Sequence, residues 1–209
     1  MKKILITQRL FLNDTYYELR EGLDVEWGSL FKLLQYIPII AQINYDISIY
    51  FKEFDIDGIL LTGGNNLYRL DQNDLLKNRD VFEKKLLSYA SNNNIPVFGV
   101  CRGMQVIADF FGSDFKQVKN QVATRHILIV NSDSKYKDSL NAINTVNSFH
   151  NYGISNLSED LLISATDNNN IIKAIEHKEY KVFGQMWHCE RETPFYESQI
   201  NLVKTFFSS

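Results

Sequence analysis

The sequence predicts an α/β fold built on a mostly parallel sheet, and three observations lead to this prediction. Short apolar runs alternate with stretches of helical periodicity through the first half of the chain. Two of these runs end in glycine-rich turns, and in doubly wound sheets functional sites lie where strands end. The second half has more short strand-like runs separated by turn residues, which predicts antiparallel hairpins at the edge of the sheet.

The elements of the first half follow in order from the spacing of apolar and turn residues. Strands are predicted at residues 3–7, 39–40, 58–62 and 95–100, and helices at 25–36, 47–54, 79–92 and 104–111. In the first helix, apolar residues recur at helical spacing from Trp27 to Leu34, and Pro38 is expected to end it. Because strands alternate with helices, the strands are expected to pair in parallel.

The second half is predicted to add strands at residues 126–130, 144–149, 161–166, 171–176 and 182–187, with a closing helix at 194–207. The Asn-rich stretch at residues 167–170 is typical of a turn between two paired strands. No repeat, low-complexity tract or linker divides the chain. We therefore expect one domain over residues 1–209.

Composition and charge argue against several classes of protein. The 209 residues carry a formal net charge of −3 without a cluster of Lys and Arg, which disfavours a nucleic-acid or anionic-membrane binder. The apolar stub near the start is too short for a secretory signal, and no run reaches the length of a membrane span. The 2 cysteines are too few for a disulfide framework. We expect a cytoplasmic protein.

The stretch from Gly99 to Gln105 places a cysteine between two glycines, directly after the apolar run at residues 95–98. Glycine permits the sharp strand-to-helix turn that lifts a nucleophile above the end of a sheet. The helix that follows directs its N-terminus at the sulfur, which favours thiolate over thiol. Cys101 is therefore predicted to be a catalytic nucleophile, although a lone cysteine is usually a small buried apolar residue.

A cysteine nucleophile needs a base, a group that orients the base, and donors for an oxyanion. His188 ends an apolar run and Glu190 follows two positions later, a spacing that puts both side chains on one face of an extended strand. We therefore predict a triad of Cys101, His188 and Glu190. The backbone amides of Gly64 and Arg102 are the predicted oxyanion donors.

Several of these side chains have alternative interpretations. Cys189 is expected to be structural, since alternation directs it away from His188, and a zinc site built on these residues lacks a fourth ligand. We therefore expect no metal site. Arg9 and Arg102 are candidates to meet a phosphorylated or carboxylated leaving group, because guanidinium suits such oxygens. An ordinary surface arginine is the alternative for both.

Four segments resemble those of class I glutamine amidotransferases and the related γ-glutamyl hydrolases, in order and spacing over essentially the whole chain. They are residues 99–105, Leu61-Thr62-Gly63-Gly64, Val146-Asn147-Ser148-Phe149-His150 and Trp187-His188-x-Glu190. The resemblance implies a flavodoxin-like three-layer α/β/α sandwich with the same triad. It also implies contacts to a glutamyl group from Gly63, Gln105, Ser148, Phe149 and His150. For His150 the alternative is the capping of a strand end.

The resemblance further implies a hydrolase that cleaves a small-molecule γ-glutamyl amide through a glutamyl thioester, without a cofactor. Arg102 and the Asn-Ser-Phe-His segment resemble the stand-alone hydrolases, which include γ-glutamyl-GABA hydrolases. The segments Ile6-Thr7-Gln8-Arg9 and Glu26-Trp27-Gly28 resemble those of hydrolases of γ-glutamyl-CDP-amidate in capsule synthesis. A glutaminase subunit that serves a separate synthase and a non-catalytic binding protein are the alternatives, and a homo-oligomer is left open.

Overall fold

The structure of the protein is a computed structural model that describes residues 1–208. Its strands are β1 (Lys3–Ile6), β2 (Arg9–Leu12), β3 (Leu19–Gly22), β4 (Ile37–Ile40), β5 (Gly58–Leu61), β6 (Val97–Val100), β7 (Asp114–Gln117), β8 (Val122–Ile127), β9 (Ile129–Val130), β10 (Thr145–Phe149), β11 (Tyr152–Asn156), β12 (Leu161–Thr166), β13 (Ile172–His177) and β14 (Val182–Gln185). Its helices are α1 (Glu26–Leu34), α2 (Ile47–Glu53), α3 (Tyr68–Asp71), α4 (Asp74–Asn93), α5 (Arg102–Phe110), α6 (Lys137–Asn141) and α7 (Glu197–Ser208), with a 3₁₀ turn at Cys189–Arg191.

An eight-stranded sheet forms the centre of the described chain, in the order β4-β1-β5-β6-β14-β13-β12-β9. The strands from β4 to β14 are parallel to one another, and β13, β12 and β9 continue the sheet with antiparallel pairing. Every residue of β5 and β6 is buried, as expected for parallel strands covered on both faces. The prediction of a mostly parallel sheet with an antiparallel C-terminal part is confirmed.

Helices cover both faces of this sheet, so the fold is a three-layer α/β/α sandwich. On one face α7 packs against α1 and α6, and the rings of Phe206 and Phe207 contact that of Phe98 in β6. On the other face α4 packs against α5, which lies on β5, β6 and β14. Gly99 approaches Gly103 of α5 on this second face, since neighbouring residues of a strand alternate.

Several predicted boundaries are wrong. The helix predicted at residues 79–92 begins at Asp74, because the side chain of Asn73 caps it there. The helix predicted at residues 25–36 ends at Leu34, because Gln35 adopts a left-handed conformation with φ 59°. Pro38 lies inside β4, an edge strand, where the missing N–H of proline is tolerated. The strand predicted at 126–130 is divided between β8, which pairs with β10, and β9, which joins the main sheet.

Within residues 1–208, two-stranded ribbons also form outside the main sheet, from β2 and β3, from β7 and β11, and from β8 and β10. No sequence pattern predicted β2, β3, β7 or β11, and residues 144–149 were expected on the sheet edge. Of these ribbon strands, β2 and β10 contribute side chains to the walls around the C-terminal ends of β5 and β6. Among the described helices, none combines the length and apolar character of a bilayer-spanning segment.

Candidate active site

Cys101 lies between β6 and α5, where the chain turns sharply from strand to helix. Its backbone has φ 53° and ψ −104°, a conformation that costs a residue with a side chain about 1–3 kcal/mol. The amide of Cys101 donates to the carbonyl oxygen of Gln185 at 2.8 Å, which anchors the turn to β14. A Cβ on Gly103 would lie 2.1 Å from the carbonyl oxygen of Leu61, so only glycine fits there. The surrounding packing therefore imposes the strained position of the sulfur.

His188 and Glu190 meet after the end of β14, in a turn. His188 Nδ1 lies 2.6 Å from Glu190 Oε1, and both side chains are buried. The strand ends at Gln185, and Cys189–Arg191 form the 3₁₀ turn. The expectation that extended backbone aligns the two side chains is therefore wrong. The turn brings the carboxylate back to the imidazole.

The charges of Cys101 and His188 stabilise each other. Burial raises the pKa of Cys101, but the charge of His188 and its hydrogen bond to the sulfur outweigh burial and hold this pKa below its ordinary value. Burial also disfavours the imidazolium, whereas the charges of Cys101 and Glu190 raise the pKa of His188 to about 10. A thiolate–imidazolium pair is the expected state at neutral pH. Burial raises the pKa of Cys189, which keeps that thiol neutral.

Asn147 of β10 fixes the backbone of His188. The amide of His188 donates to Asn147 Oδ1 at 2.8 Å, and Asn147 Nδ2 donates to the carbonyl oxygen of His188 at 2.8 Å. Asn147 Nδ2 also donates to Glu192 Oε1 at 2.9 Å, and Glu192 pairs with Arg125 at 3.0 Å. The backbone that carries the imidazole is thus tied to the ribbon of β8 and β10.

The loop after β5 is held by Arg79 of α4, whose side chain is fully buried. The guanidinium donates to the carbonyl oxygens of Thr62 and Gly64 at 3.0 Å and of Gly63 at 3.2 Å. In a planar trans peptide the N–H points away from the C=O, so the amide of Gly64 is directed away from Arg79. Gly64 and Arg102, the predicted oxyanion donors, line one cavity with the sulfur.

Arg79 belongs to a buried charge network beneath this loop. Arg79 Nε pairs with Glu83 Oε1 at 3.1 Å, and the guanidinium of Arg102 pairs with both Glu83 and Asp80. Thr7 Oγ1 donates to Glu83 Oε1 at 2.7 Å. Burial raises the pKa of Glu83, but the two arginines outweigh burial and hold it below its ordinary value. Both terminal nitrogens of Arg102 are committed to this network and its side chain is buried, which corrects the expectation that it meets a leaving group.

A cavity of about 290 Å³ lies above the sulfur, and Gln105, Phe149 and His150 line it together with Cys101 and His188. Gln105 Nε2 donates to the carbonyl oxygen of Tyr152 at 3.0 Å, and His150 Nδ1 lies 3.0 Å from the same oxygen. The ring of Phe149 meets that of His188 edge to face at 6.0 Å. The end of β10 and the residue after it therefore border the cavity on the side of the imidazole.

Ser148 is placed differently from its neighbours in this segment. Its hydroxyl is fully buried, donates to Gln121 Oε1 at 2.9 Å and accepts from Lys173 Nζ at 3.1 Å, so it supports the wall from behind. This corrects the expectation that the Ser148 side chain contacts a substrate. Lys173 Nζ also lies 3.2 Å from His150 Nε2. Burial and the charge of Lys173 lower the pKa of His150 to about 3, so this histidine presents a neutral ring.

Gly63→Ala is expected to displace His188. A Cβ on Gly63 would lie 2.6 Å from His188 Cε1 and 3.4 Å from Cys101 Cβ. Since the ring has to move, the imidazolium separates from the sulfur and the pKa of Cys101 rises toward its ordinary value of about 8.5. We expect the rate of Cys101 alkylation by iodoacetamide at pH 7 to fall about tenfold, because each unit of pKa removes about nine-tenths of the thiolate.

The pH dependence of alkylation, with peptide mapping to locate the label, measures this effect. Gly28→Ala is the matched control, because a Cβ at Gly28 has nothing within 4 Å and should leave the profile unchanged. An unchanged pH profile for Gly63→Ala would mean that the sulfur does not depend on its contact with the imidazole.

Several residues of the site have no role predicted from the sequence, among them Arg79, Glu83, Asn147 and Lys173. Arg79 and Glu83 are four positions apart on the buried face of α4, and charged residues on an apolar face signal a buried pair. Lys173 interrupts an apolar run in β13, which likewise indicates a buried charged residue that needs a partner. Asn147 lies within a recognised segment, but nothing in the sequence indicates that its amide holds the backbone of His188.

Comparison with known proteins gives the following matches. The model of the family peptidase C26 matches residues 33–190. The gamma-glutamyl-CDP-amidate hydrolase of Campylobacter jejuni is 35% identical over 206 residues, which covers 97% of this chain and 96% of that protein. The glutamine-hydrolysing GMP synthase of Borrelia garinii subsp. bavariensis is 28% identical over 205 residues, which covers 91% of this chain and 36% of that enzyme.

Solved structures show the same fold. A Thermoplasma acidophilum protein superposes with a TM-score of 0.73 at 20% identity, covering 100% of this chain and 93% of its own. A glutamine amidotransferase from Thermotoga maritima superposes with a TM-score of 0.66 at 15% identity, covering 99% and 84% of the two chains. At these identities the likeness is one of architecture.

Proposed function

Since the chain belongs to the peptidase C26 family of class I glutamine amidotransferase-like hydrolases, we propose that it hydrolyses a γ-glutamyl amide with Cys101, His188 and Glu190 as its catalytic residues. The observation that carries this proposal is the buried arrangement of these three side chains, with Cys101 at a strained strand-to-helix turn and His188 bound to Glu190. A thiolate paired with an imidazolium, which a carboxylate orients, is the arrangement that acyl transfer to cysteine requires.

In the first half-reaction the thiolate of Cys101 attacks the γ-carbonyl carbon, and a carbonyl electron pair moves to oxygen. The amides of Gly64 and Arg102, beside the sulfur, would stabilise this oxyanion. The carbon–nitrogen bond then breaks as the imidazolium of His188 gives its proton to the leaving nitrogen. The glutamyl group remains as a thioester on Cys101.

In the second half-reaction water loses a proton to His188, now neutral, as it attacks the thioester carbon. The carbon–sulfur bond breaks, glutamate is released and the thiolate–imidazolium pair returns. Glu190 holds Nδ1 throughout, so Nε2 stays directed at the reacting atoms. Gln105, Phe149 and His150 line the space that the glutamyl group would occupy.

We propose γ-glutamyl-CDP-amidate as the lead substrate, with glutamate and cytidine diphosphoramidate as products. The Campylobacter jejuni relative supports this choice, because the two proteins align over nearly their full lengths. The proposal includes a single domain over residues 1–209, a cytoplasmic location and a role in capsule synthesis. A γ-glutamyl-GABA hydrolase is the alternative of the same chemistry, and a non-catalytic binding protein is the alternative without it.

A glutaminase subunit that passes ammonia to a synthase is the second candidate function. The similarity to a GMP synthase favours it, since this chain spans about a third of that enzyme. The two functions differ in the leaving group, which is ammonia in one and a substituted amide in the other.

A substrate comparison tests the proposed function. We expect the purified protein to release glutamate from γ-glutamyl-CDP-amidate with a kcat/KM at least about 100-fold higher than from L-glutamine, since a site built for polar contacts discriminates against analogues that lack them. γ-Glutamyl-GABA is the third substrate. A preference for L-glutamine that appears when a synthase is added would support the glutaminase. No glutamate release from any of the three, with or without an added synthase, would contradict both functions.

A further inference from the structure

A second cavity, of about 160 Å³, adjoins the one above Cys101. Gly64 and Arg191 line both cavities and so form the boundary between them. The second cavity lies between the ribbon of β2 and β3, the start of α1 and the loop after β5. The mechanism above places no part of the glutamyl group in it.

Arg9 lines this cavity from β2, with its guanidinium over the ring of Phe11. Its Nε is buried and has no hydrogen-bond partner in residues 1–208, and its Cζ lies 4.6 Å from the centre of the Phe11 ring. A buried donor without a partner is unfavourable, and a guanidinium suits the oxygens of a phosphoryl group. Arg9 also packs against the loop that is proposed to hold the oxyanion: its Nε lies 2.9 Å from the position of a Cβ on Gly64.

Arg191 places a second cation at the boundary. Its Nε lies 3.8 Å from Glu190 Oε1, beyond hydrogen-bond distance, and its Cζ lies 5.3 Å from the centre of the Phe149 ring. Two carboxylates also face the cavity. Glu190 Oε2 has no hydrogen-bond partner in the described chain, but the imidazolium bound to Oε1 offsets its charge. Asp24 Oδ1 accepts from the amide of Glu26 at the start of α1.

Phe11 and Trp27 give the cavity its apolar walls. Trp27 is buried in α1, whereas Phe11 is 43% exposed and offers its ring to a ligand. Arg9 and Phe11 are two positions apart in β2, so both side chains lie on one face of the ribbon. A guanidinium beside an exposed ring suits a ligand that combines phosphate oxygens with a planar base.

We propose that this cavity, bounded by Arg9, Phe11 and Arg191, receives the leaving group of the substrate and selects one that carries a phosphoryl group. The inference rests on the proposed function, because it assigns the departing side of the same site. When the scissile nitrogen is bonded to phosphorus, the phosphoryl oxygens lie close to the γ-carbonyl, at the boundary of the two cavities. Arg9 and Arg191 are specificity-determining residues and take no part in the bond-making steps.

Arg9→Gln tests this proposal with two substrates, γ-glutamyl-CDP-amidate and γ-glutamyl-4-nitroanilide, whose leaving group has no phosphate. We expect kcat/KM for the first to fall about 10- to 100-fold, the usual loss of a charge-assisted hydrogen bond, and for the second to change less than about threefold. Arg9→Lys should recover part of the loss. Arg20→Gln removes the same charge from an arginine of the same ribbon that pairs with Glu18 at 2.5 Å, and should change neither value.

An equal fall for both substrates would overturn the proposal, because Arg9 would then act only by supporting the Gly64 loop. Unchanged kinetics of Arg9→Gln with the phosphorylated substrate would overturn it as well. If the unaltered protein hydrolyses neither of the two substrates, the proposed function is wrong and this inference is wrong with it. That outcome is distinguishable, since it is seen before any arginine is replaced.

Discussion

Replacing Cys101 with alanine is expected to lower kcat for glutamate release by about 10⁴-fold or more, which is the loss typical of enzymes without their nucleophile. The variant retains the amides of Gly64 and Arg102 and the cavity beside them, but no thioester can form. Glutamate release from γ-glutamyl-CDP-amidate, followed over hours at high protein concentration, measures the residual rate.

The same position also yields a stability measurement. Alanine meets the same steric difficulty as cysteine at φ 53°, so Cys101→Ala should keep the strain of the turn. Glycine adopts this conformation without strain, but it makes the unfolded chain more flexible, so folding loses more backbone entropy. We expect the free energy of unfolding of Cys101→Gly to exceed that of Cys101→Ala by about 1 kcal/mol in urea titrations.

Cys189→Ala is the control for the loss of a thiol near the site. Its sulfur is buried and neutral, so we expect this variant to keep most of its activity. Hydrolysis by Cys101→Ala at the wild-type rate would rule out covalent catalysis by Cys101. Equal losses in both cysteine variants would mean that packing, and not the nucleophile, limits the reaction.

Glu83→Ala is expected to reduce the free energy of unfolding by about 3–5 kcal/mol, the usual effect of removing one partner from a buried charge network. Arg79 and Arg102 would remain buried without the carboxylate that joins them. Thr7 Oγ1 would lose its acceptor as well. Denaturant titration at neutral pH measures the loss.

The pH dependence of stability gives a second measurement on the same variant. The pKa of Glu83 lies below its ordinary value, so its contribution is present above the pKa of the unfolded chain, about 4.3, and is lost as pH falls through the folded-state pKa. The unaltered protein should therefore lose more stability than Glu83→Ala between neutral pH and acid.

Glu53→Ala, at an exposed end of α2, is the control, and its free energy of unfolding should stay within about 0.5 kcal/mol of wild type. A loss below about 1 kcal/mol for Glu83→Ala would mean that the two arginines are stable without this carboxylate.

The order of strands and helices in the parallel half could be predicted from the sequence because it depends on local patterns. The glycines around Cys101 are a local signal of the turn, and the apolar run of β6 predicts a buried strand. The pairing of His188 with Glu190 could also be inferred, although for a reason that the structure corrects. A spacing of two residues brings side chains together on an extended strand and also across a 3₁₀ turn. The spacing alone therefore predicts the contact but not the backbone that makes it.

The contacts that hold these groups could not be predicted, because they join distant segments. Arg79 binds a loop 15 to 17 positions earlier in the chain, and Asn147 binds His188 across 41 positions. Neither contact has a periodic signal. The ribbon of β2 and β3 was also missed, since its short strands alternate only weakly between buried and exposed positions. Such ribbons depend on partners that the sequence does not identify.

The double hydrogen bond between Asn147 and His188 has a consequence for how this protein can change during evolution. It couples the wall around the acyl group to the base, so a substitution that reshapes that wall also misaligns proton transfer. The ribbon of β2 and β3 forms its own two-stranded sheet, and within residues 1–208 no such bond joins it to the base. On the proposed function, acyl specificity is therefore tied to the position of the base, whereas ribbon mutations that spare the contact of Arg9 with the Gly64 loop would exchange the departing group without moving the base.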